Sequence, residues 1–124
     1  MSKILIVEDE ISLANALKDK LEREGYETVI AVNGQEGIDK AVKTHPDAIL
    51  LDIIMPVKDG ITMLKEMKTI ESIKDIPVVL LTNLSDSNTT MQAISNGVHD
   101  YLIKSDWKID DVVKVIAEKV AKGV

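Results

Sequence analysis

Short apolar runs alternate with longer amphipathic stretches five times along these 124 residues, and that rhythm leaves few folds open. Ile4 to Val7, Thr28 to Ala31, Ala48 to Leu51, Val78 to Leu81 and Tyr101 to Ile103 read as strands. Apart from the second and the last, they are continuously apolar, the pattern of parallel strands covered on both faces. The stretches between them read as helices. The first, near Ser12 to Glu24, carries Leu13, Leu17 and Leu21 on one stripe and stops at Gly25, a left-handed cap. The second opens at Asn33 with Glu36 three residues on, the spacing of a capping box, and Pro46 lies just past its end. The third follows Asp59-Gly60 and fills the core with Met63, Leu64 and Met67. The fourth runs from about Asp86 to Asn96, before Gly97. The fifth gathers Ile109, Val112, Val113, Ile116 and Val120 on one face, with Lys119 and Lys122 at the negative end of its dipole.

Five unbroken strand–helix units predict an α/β fold built on a doubly wound, five-stranded parallel sheet. Right-handed crossovers leave few topologies. The order 2-1-3-4-5 places strands one and three side by side at the switch point. A single domain over residues 1–124 is expected, without repeat, linker or effector domain.

Acidic residues close two of the apolar runs. Glu8-Asp9-Glu10 follows the first strand, and Asp52 follows the third. Parallel neighbours bring these carboxylates to one edge of the sheet. Two carboxylates roughly 5 Å apart repel by about 3 kcal/mol at an effective dielectric near 20. A divalent cation turns that repulsion into coordination. Ligands of this architecture bind beyond the carboxyl ends of the strands, where Thr82 and Lys104 also fall. Oxygen donors suit Mg²⁺, which takes one or two carboxylates plus a phosphate. A hydroxyl and an ammonium across from a metal-flanked carboxylate describe a phosphoryl site. Asp52 is the expected nucleophile, forming an aspartyl phosphate, while Mg²⁺ and Lys104 offset charge on the equatorial oxygens.

Composition removes several classes of function. At 45% hydrophobic and 29% charged, the chain is globular rather than disordered. One Trp, two Tyr and no Phe make the core aliphatic. A net charge of −6 with no basic run disfavours direct binding of nucleic acid or anionic membrane. The absence of cysteine excludes disulfides, thiolate metal sites and cysteine nucleophiles. His45, His99 and Trp107 read as surface or packing residues. Met1-Ser2-Lys3 leads into too few apolar residues for a signal peptide, and no stretch is long enough to span a membrane. A cytoplasmic protein is expected.

The motifs Val7-Glu8-Asp9-Glu10, Leu51-Asp52-Ile53-Ile54-Met55-Pro56, Asp59-Gly60, Leu81-Thr82 and Tyr101-Leu102-Ile103-Lys104 stand in one order along the chain. Thirty residues separate Asp52 from Thr82, and twenty-two separate Thr82 from Lys104. In these features the sequence resembles the response-regulator receiver domain, the CheY-like family of two-component signalling, over essentially its whole length. The resemblance implies a flavodoxin-like fold and a phosphorylation switch. A sensor histidine kinase or phosphotransfer protein would donate to Asp52 with Mg²⁺ present. Glu8 and Asp9 would hold or position the metal, and the Ile54 carbonyl would be a further ligand. Thr82 and Tyr101 would form the switch pair, and Lys104 would bind the phosphate. Output would pass to a protein partner through the face of the fourth helix, fifth strand and fifth helix (α4-β5-α5 in the family). The chain would be no enzyme, but a phosphoacceptor that assists its own phosphorylation and dephosphorylation.

Two positions depart from the family pattern. Asn83 follows Thr82 where a small residue is common, bringing an amide close to the phosphate. Ser105 follows Lys104 where proline is usual, so a trans bond is expected, a cis bond before serine costing about 2.5–4 kcal/mol. Ile54 and Leu84, two residues beyond Asp52 and Thr82, offer nothing to orient an attacking water. Slow loss of phosphate is therefore expected, and Asn or Glu at either position should speed hydrolysis of the phosphoprotein in Mg²⁺. Hydrolysis that stays as slow in both variants would refute this.

Other readings stand beside the stand-alone receiver. One is the receiver segment of a longer regulator, for example a DNA-binding one, and another is a pseudo-receiver acting as a constitutive interaction module. A flavodoxin-like cofactor binder shares the topology, but Glu8-Asp9-Glu10 would repel a flavin phosphate. An aspartate-nucleophile phosphatase would carry a second Asp at the position of Ile54.

Overall fold

All five expected strands pair in parallel in one sheet of order 2-1-3-4-5. They are β1 (Lys3–Val7), β2 (Glu27–Ala31), β3 (Ala48–Asp52), β4 (Val78–Thr82) and β5 (Asp100–Ile103). The structure, a computed structural model, describes residues 2–52, 60–82, 91, 100–103 and 108–122, without the side chains of 82, 100–103, 109, 121 and 122. The fourth helix read from the sequence lies outside these residues, apart from Met91, which is helical and exposed.

Strand positions alternate strictly between two cores. Leu5, Val7, Ile49, Leu51, Val78 and Leu80 belong to one cluster of buried side chains. Ile4, Ile6, Ala48, Leu50, Val79 and Leu81 belong to the other. An unbroken apolar run serves two faces at once, which is why β1, β3 and β4 show no polar alternation. The edge strand β2 is only half-buried over most of its length, in keeping with its mixed sequence.

The helices described over more than one residue are α1 (Ile11–Arg23), α2 (Gly34–Thr44), α3 (Gly60–Met67) and α4 (Ile109–Lys122), the last being the helix read fifth in the sequence. On α1 the buried stripe is Ala14, Leu17 and Leu21, with Leu13 packed at its flank. Leu17 and Leu21 thus stand as the leucine spacing predicts, with Ala14 buried in place of Leu13. Gly25 follows the helix at φ +95°, a conformation that favours glycine. Asn33 caps α2 by accepting from the Glu36 N–H at 2.9 Å. Glu36 reaches back to the N–H of Val32 rather than to that of Asn33, at 3.4 Å. His45, exposed as expected, also ends α2 in the left-handed region at φ 48°. Met63, Leu64 and Met67 of α3 are fully buried.

Helix α4 packs Val112 and Ile116 into the core shared with α1. Lys20 of α1 meets Asp110 of α4 at 3.2 Å and Glu24 at 3.5 Å. Its hydrogen bond and attraction to Asp110, then to Glu24, raise the ammonium above its ordinary pKa. So exposed a pair adds little stability, and the apolar face of α4 does most of the docking. No cis peptide bond occurs among the described residues; the bond between Lys104 and Ser105 lies outside them.

Candidate metal centre

Strand phase and register together build the site. Ile4 and Ile6 face the core shared with α1, and one further step of two along β1 reaches Glu8. Ala48 and Leu50 face the same way on β3, and the same step reaches Asp52. Val7 pairs with Leu51, so Glu8 and Asp52 arrive abreast at the carboxyl ends of adjacent strands. Asp9 begins the turn into α1. One carboxylate oxygen from each of Glu8, Asp9 and Asp52 lies within 4.8 Å of the other two.

The three acids differ in burial. Glu8 is 1% exposed and Asp52 5%, while Asp9 is exposed. The sequence treats Glu8 and Asp9 alike; the structure makes Glu8 the buried wall and Asp9 the open rim. The N–H of Glu8 donates to the carbonyl of Ala31 at 2.9 Å. The N–H of Glu10 donates to Glu8 Oε1 at 3.1 Å, and the Glu10 carbonyl accepts the first α1 bond, from Ala14. The acidic turn thus runs straight into a helix N-terminus, whose dipole favours negative charge.

Burying carboxylates is costly unless they are paired or coordinate a metal. A cluster of acidic oxygens suits a hard cation, and Mg²⁺ in particular keeps waters while using one or two carboxylates. The donor set therefore fits the ion expected from the sequence. Thr82 closes β4 in register with Ile103, and Tyr101 pairs with Leu80, so both backbones lie on strands at the acidic end or beside it. Their side chains, together with Ile54, Asn83, Leu84, Lys104, Ser105, His99 and Trp107, lie outside the description. A cavity of about 350 Å³ opens at the opposite end of the sheet, between Asp47, Asp75, Pro77 and Val120. That is the amino end of the strands, away from the edge where this architecture binds ligands.

The family model for the response regulator receiver domain matches residues 4–117. The chain belongs to this family. Its members act in phosphorylation-dependent signalling in two-component systems, generally as phosphoacceptors. This receiver domain is 36% identical over 104 residues to the DNA-binding dual master transcriptional regulator RpaA of Synechocystis, a match covering 84% of the chain and 43% of RpaA. It spans half or less of the length of the curated relatives that it matches first. Among solved structures, the signal receiver domain of a histidine kinase from Syntrophus aciditrophicus superposes with a TM-score of 0.89 at 33% identity, covering 98% of this chain and 92% of that one. The receiver domain of a sensor histidine kinase from Pseudomonas aeruginosa, solved with magnesium coordinated in its active site cleft, gives a TM-score of 0.87 at 25% identity, covering 97% and 98%. Among the described residues of the receiver domain, no helix is long and apolar enough to cross a membrane.

Proposed function

We propose that residues 1–124 act as one receiver domain whose Asp52 takes a phosphoryl group from the phosphohistidine of a sensor kinase or phosphotransfer protein. The observation that carries this reading is the convergence of Glu8, Asp9 and Asp52 within 4.8 Å at the mouth of the sheet. Asp52 ends a buried strand flanked by β1 and β4, so its backbone is fixed by the sheet. A carboxylate oxygen of Asp52 attacks phosphorus as the P–N bond to imidazole breaks, and the bonding pair leaves on the ring nitrogen. Glu8 and Asp9 would hold Mg²⁺ with Asp52, and the Ile54 carbonyl is assigned the same role. When bound, Mg²⁺ supplies positive charge that offsets the negative charge of the transferring group. Thr82 and Lys104 are assigned to the phosphoryl oxygens, and Thr82 with Tyr101 to the switch.

The phosphorylated form then presents a changed surface to a protein partner, through a face assigned to β5, α4 and the helix read fourth in the sequence, which lies outside the described residues apart from Met91. A coupling of about 1–3 kcal/mol suffices for a graded shift between two conformations. The acidic net charge of −6 favours a protein partner over nucleic acid for this domain. A cytoplasmic location goes with a kinase that draws on ATP.

Incubation with a small acyl phosphate and Mg²⁺ tests the assignment by intact mass. The parent is expected to gain the mass of one phosphoryl group, and Asp52→Asn to gain none. Equal labelling of both proteins would move the acceptor elsewhere.

A further inference from the structure

Glu8 is held from outside its own strand. Its N–H donates to the Ala31 carbonyl at 2.9 Å, so its backbone direction depends on how the end of β2 is fixed. β2 is an edge strand with β1 on one side only. Side chains of α2 and its cap secure that end. Asn33 Oδ1 accepts from the Glu36 N–H at 2.9 Å, and Glu36 Oε1 accepts from the Val32 N–H at 3.4 Å. Lys40 Nζ donates to the Ile30 carbonyl and lies 3.5 Å from Glu36 Oε1. Successive residues of a strand turn their backbone groups to opposite sides. With the Ala31 carbonyl turned to β1, that of Ile30 faces the outer edge, where Lys40 meets it. Gly37 adds a second hold. A Cβ there would stand 3.2 Å from Val7 Cγ2 and 2.8 Å from Met63 Sδ, so glycine lets α2 rest against the residue preceding Glu8.

We propose that Asn33, Glu36, Gly37 and Lys40 brace the Val7-Glu8 step and thereby set the affinity of the acidic cluster for a divalent cation. The brace rests on Glu8 serving as a metal-site acid, as argued above. These are positioning residues, acting through Glu8. Lys40 and Glu36 are over a third exposed, so their mutual attraction is weak, and the bond from Lys40 to the strand carbonyl is the contact that matters.

Calorimetric titration of the full chain with Mg²⁺ alone tests the brace. Lys40→Met and Gly37→Ala are expected to weaken binding by about three- to tenfold, toward the low end for partners outside the ligand shell. Lys40→Arg, which restores a donor, should bring the affinity back to the parent's. Removing a positive charge near carboxylates would by itself tighten Mg²⁺ binding, so the expected weakening has the opposite sign to a simple charge effect. Thr44→Val removes the hydroxyl bond to the Lys40 carbonyl at 2.6 Å, loosening the same helix away from Glu8. It should leave Mg²⁺ affinity unchanged, even where its melting temperature falls as far as that of Lys40→Met. Unchanged or tighter binding in Lys40→Met, or equal weakening in Thr44→Val, overturns the brace. A parent that binds no Mg²⁺, or binds it as well after Asp52→Asn, overturns the metal site itself and the brace with it. Lys40 lies on an exposed face, so its variants keep the test decisive if Gly37→Ala fails to fold.

Discussion

Asp52→Asn is expected to melt at a higher temperature than the parent in the absence of metal, and to lose most of the stabilisation that Mg²⁺ gives. The first half follows from the crowding of Glu8, Asp9 and Asp52 within 4.8 Å. At an effective dielectric near 20, a pair of charges at that separation repels by about 3 kcal/mol. Asp9 is exposed and its share is screened by solvent and salt. A net gain of about 1–2 kcal/mol is the reasonable scale, or roughly 3–8 °C in Tm for a domain of this length. Asn keeps the shape of the side chain, so packing hardly contributes to the difference.

The second half is linkage. A ligand that binds only the folded state stabilises it by about 2.7 kcal/mol at a hundredfold excess over Kd. The parent should therefore climb with added Mg²⁺, while the variant, already higher, should scarcely move. Thermal melts across a magnesium titration, with calcium-free buffer and a chelator control, show both effects. Equal shifts in the two proteins would remove Asp52 from the metal site.

The sheet was legible in the sequence because its constraint is strong and local. Continuous runs such as Ile4-Leu5-Ile6-Val7 serve two cores, and alternated five times with helical stretches they point to a parallel sheet covered on both faces. Crossover handedness leaves few strand orders, and the order chosen among them, 2-1-3-4-5, brings Glu8 and Asp52 together. What could not be read was the difference between Glu8 and Asp9. Burial there is decided by strand phase, by the exact register Val7 to Leu51, and by a turn bond from the Glu10 N–H to Glu8 Oε1. Spacing holds none of those.

Two further features escaped for related reasons. Ile73 is fully buried, yet it sits in a chain of tight turns after α3, with no helix or strand pattern to mark it. Its only signal is the spacing of three through Ile70, Ile73 and Ile76. The holds on β2 were also hidden. The Asn33 and Glu36 spacing announces a cap for α2, but nothing in it says that Glu36 would turn to Val32 or Lys40 to the carbonyl of Ile30. Those contacts depend on how α2 lies across the edge strand, which is a tertiary outcome.

Leu51→Ala should show the reverse of the Asp52 signature. Leu51 is fully buried, pairs with Val7 and Leu80 in register, and packs in the core formed under α2 and α3. Truncation of such a leucine costs about 2–5 kcal/mol, the lost transfer energy plus that of the cavity left behind. In a domain whose total stability is about 5–15 kcal/mol, that is a large fraction, and a fall in Tm of roughly 10 °C or more follows. Urea unfolding should show a lower midpoint at an unchanged slope. By contrast, Ile11→Ala, at a position 55% exposed, should stay within about 0.5 kcal/mol of the parent. The adjacent pair separates two roles of one strand. Asp52→Asn gains stability and loses the response to Mg²⁺, whereas Leu51→Ala loses stability and keeps most of that response, because it leaves in place the bonds of Lys40 and Glu36 that hold the end of β2 beside Glu8. If Leu51→Ala also lost the magnesium increment while still folded, the placing of Asp52 would depend on the core under α2 and α3 and not only on the pairing of β3 with its neighbours.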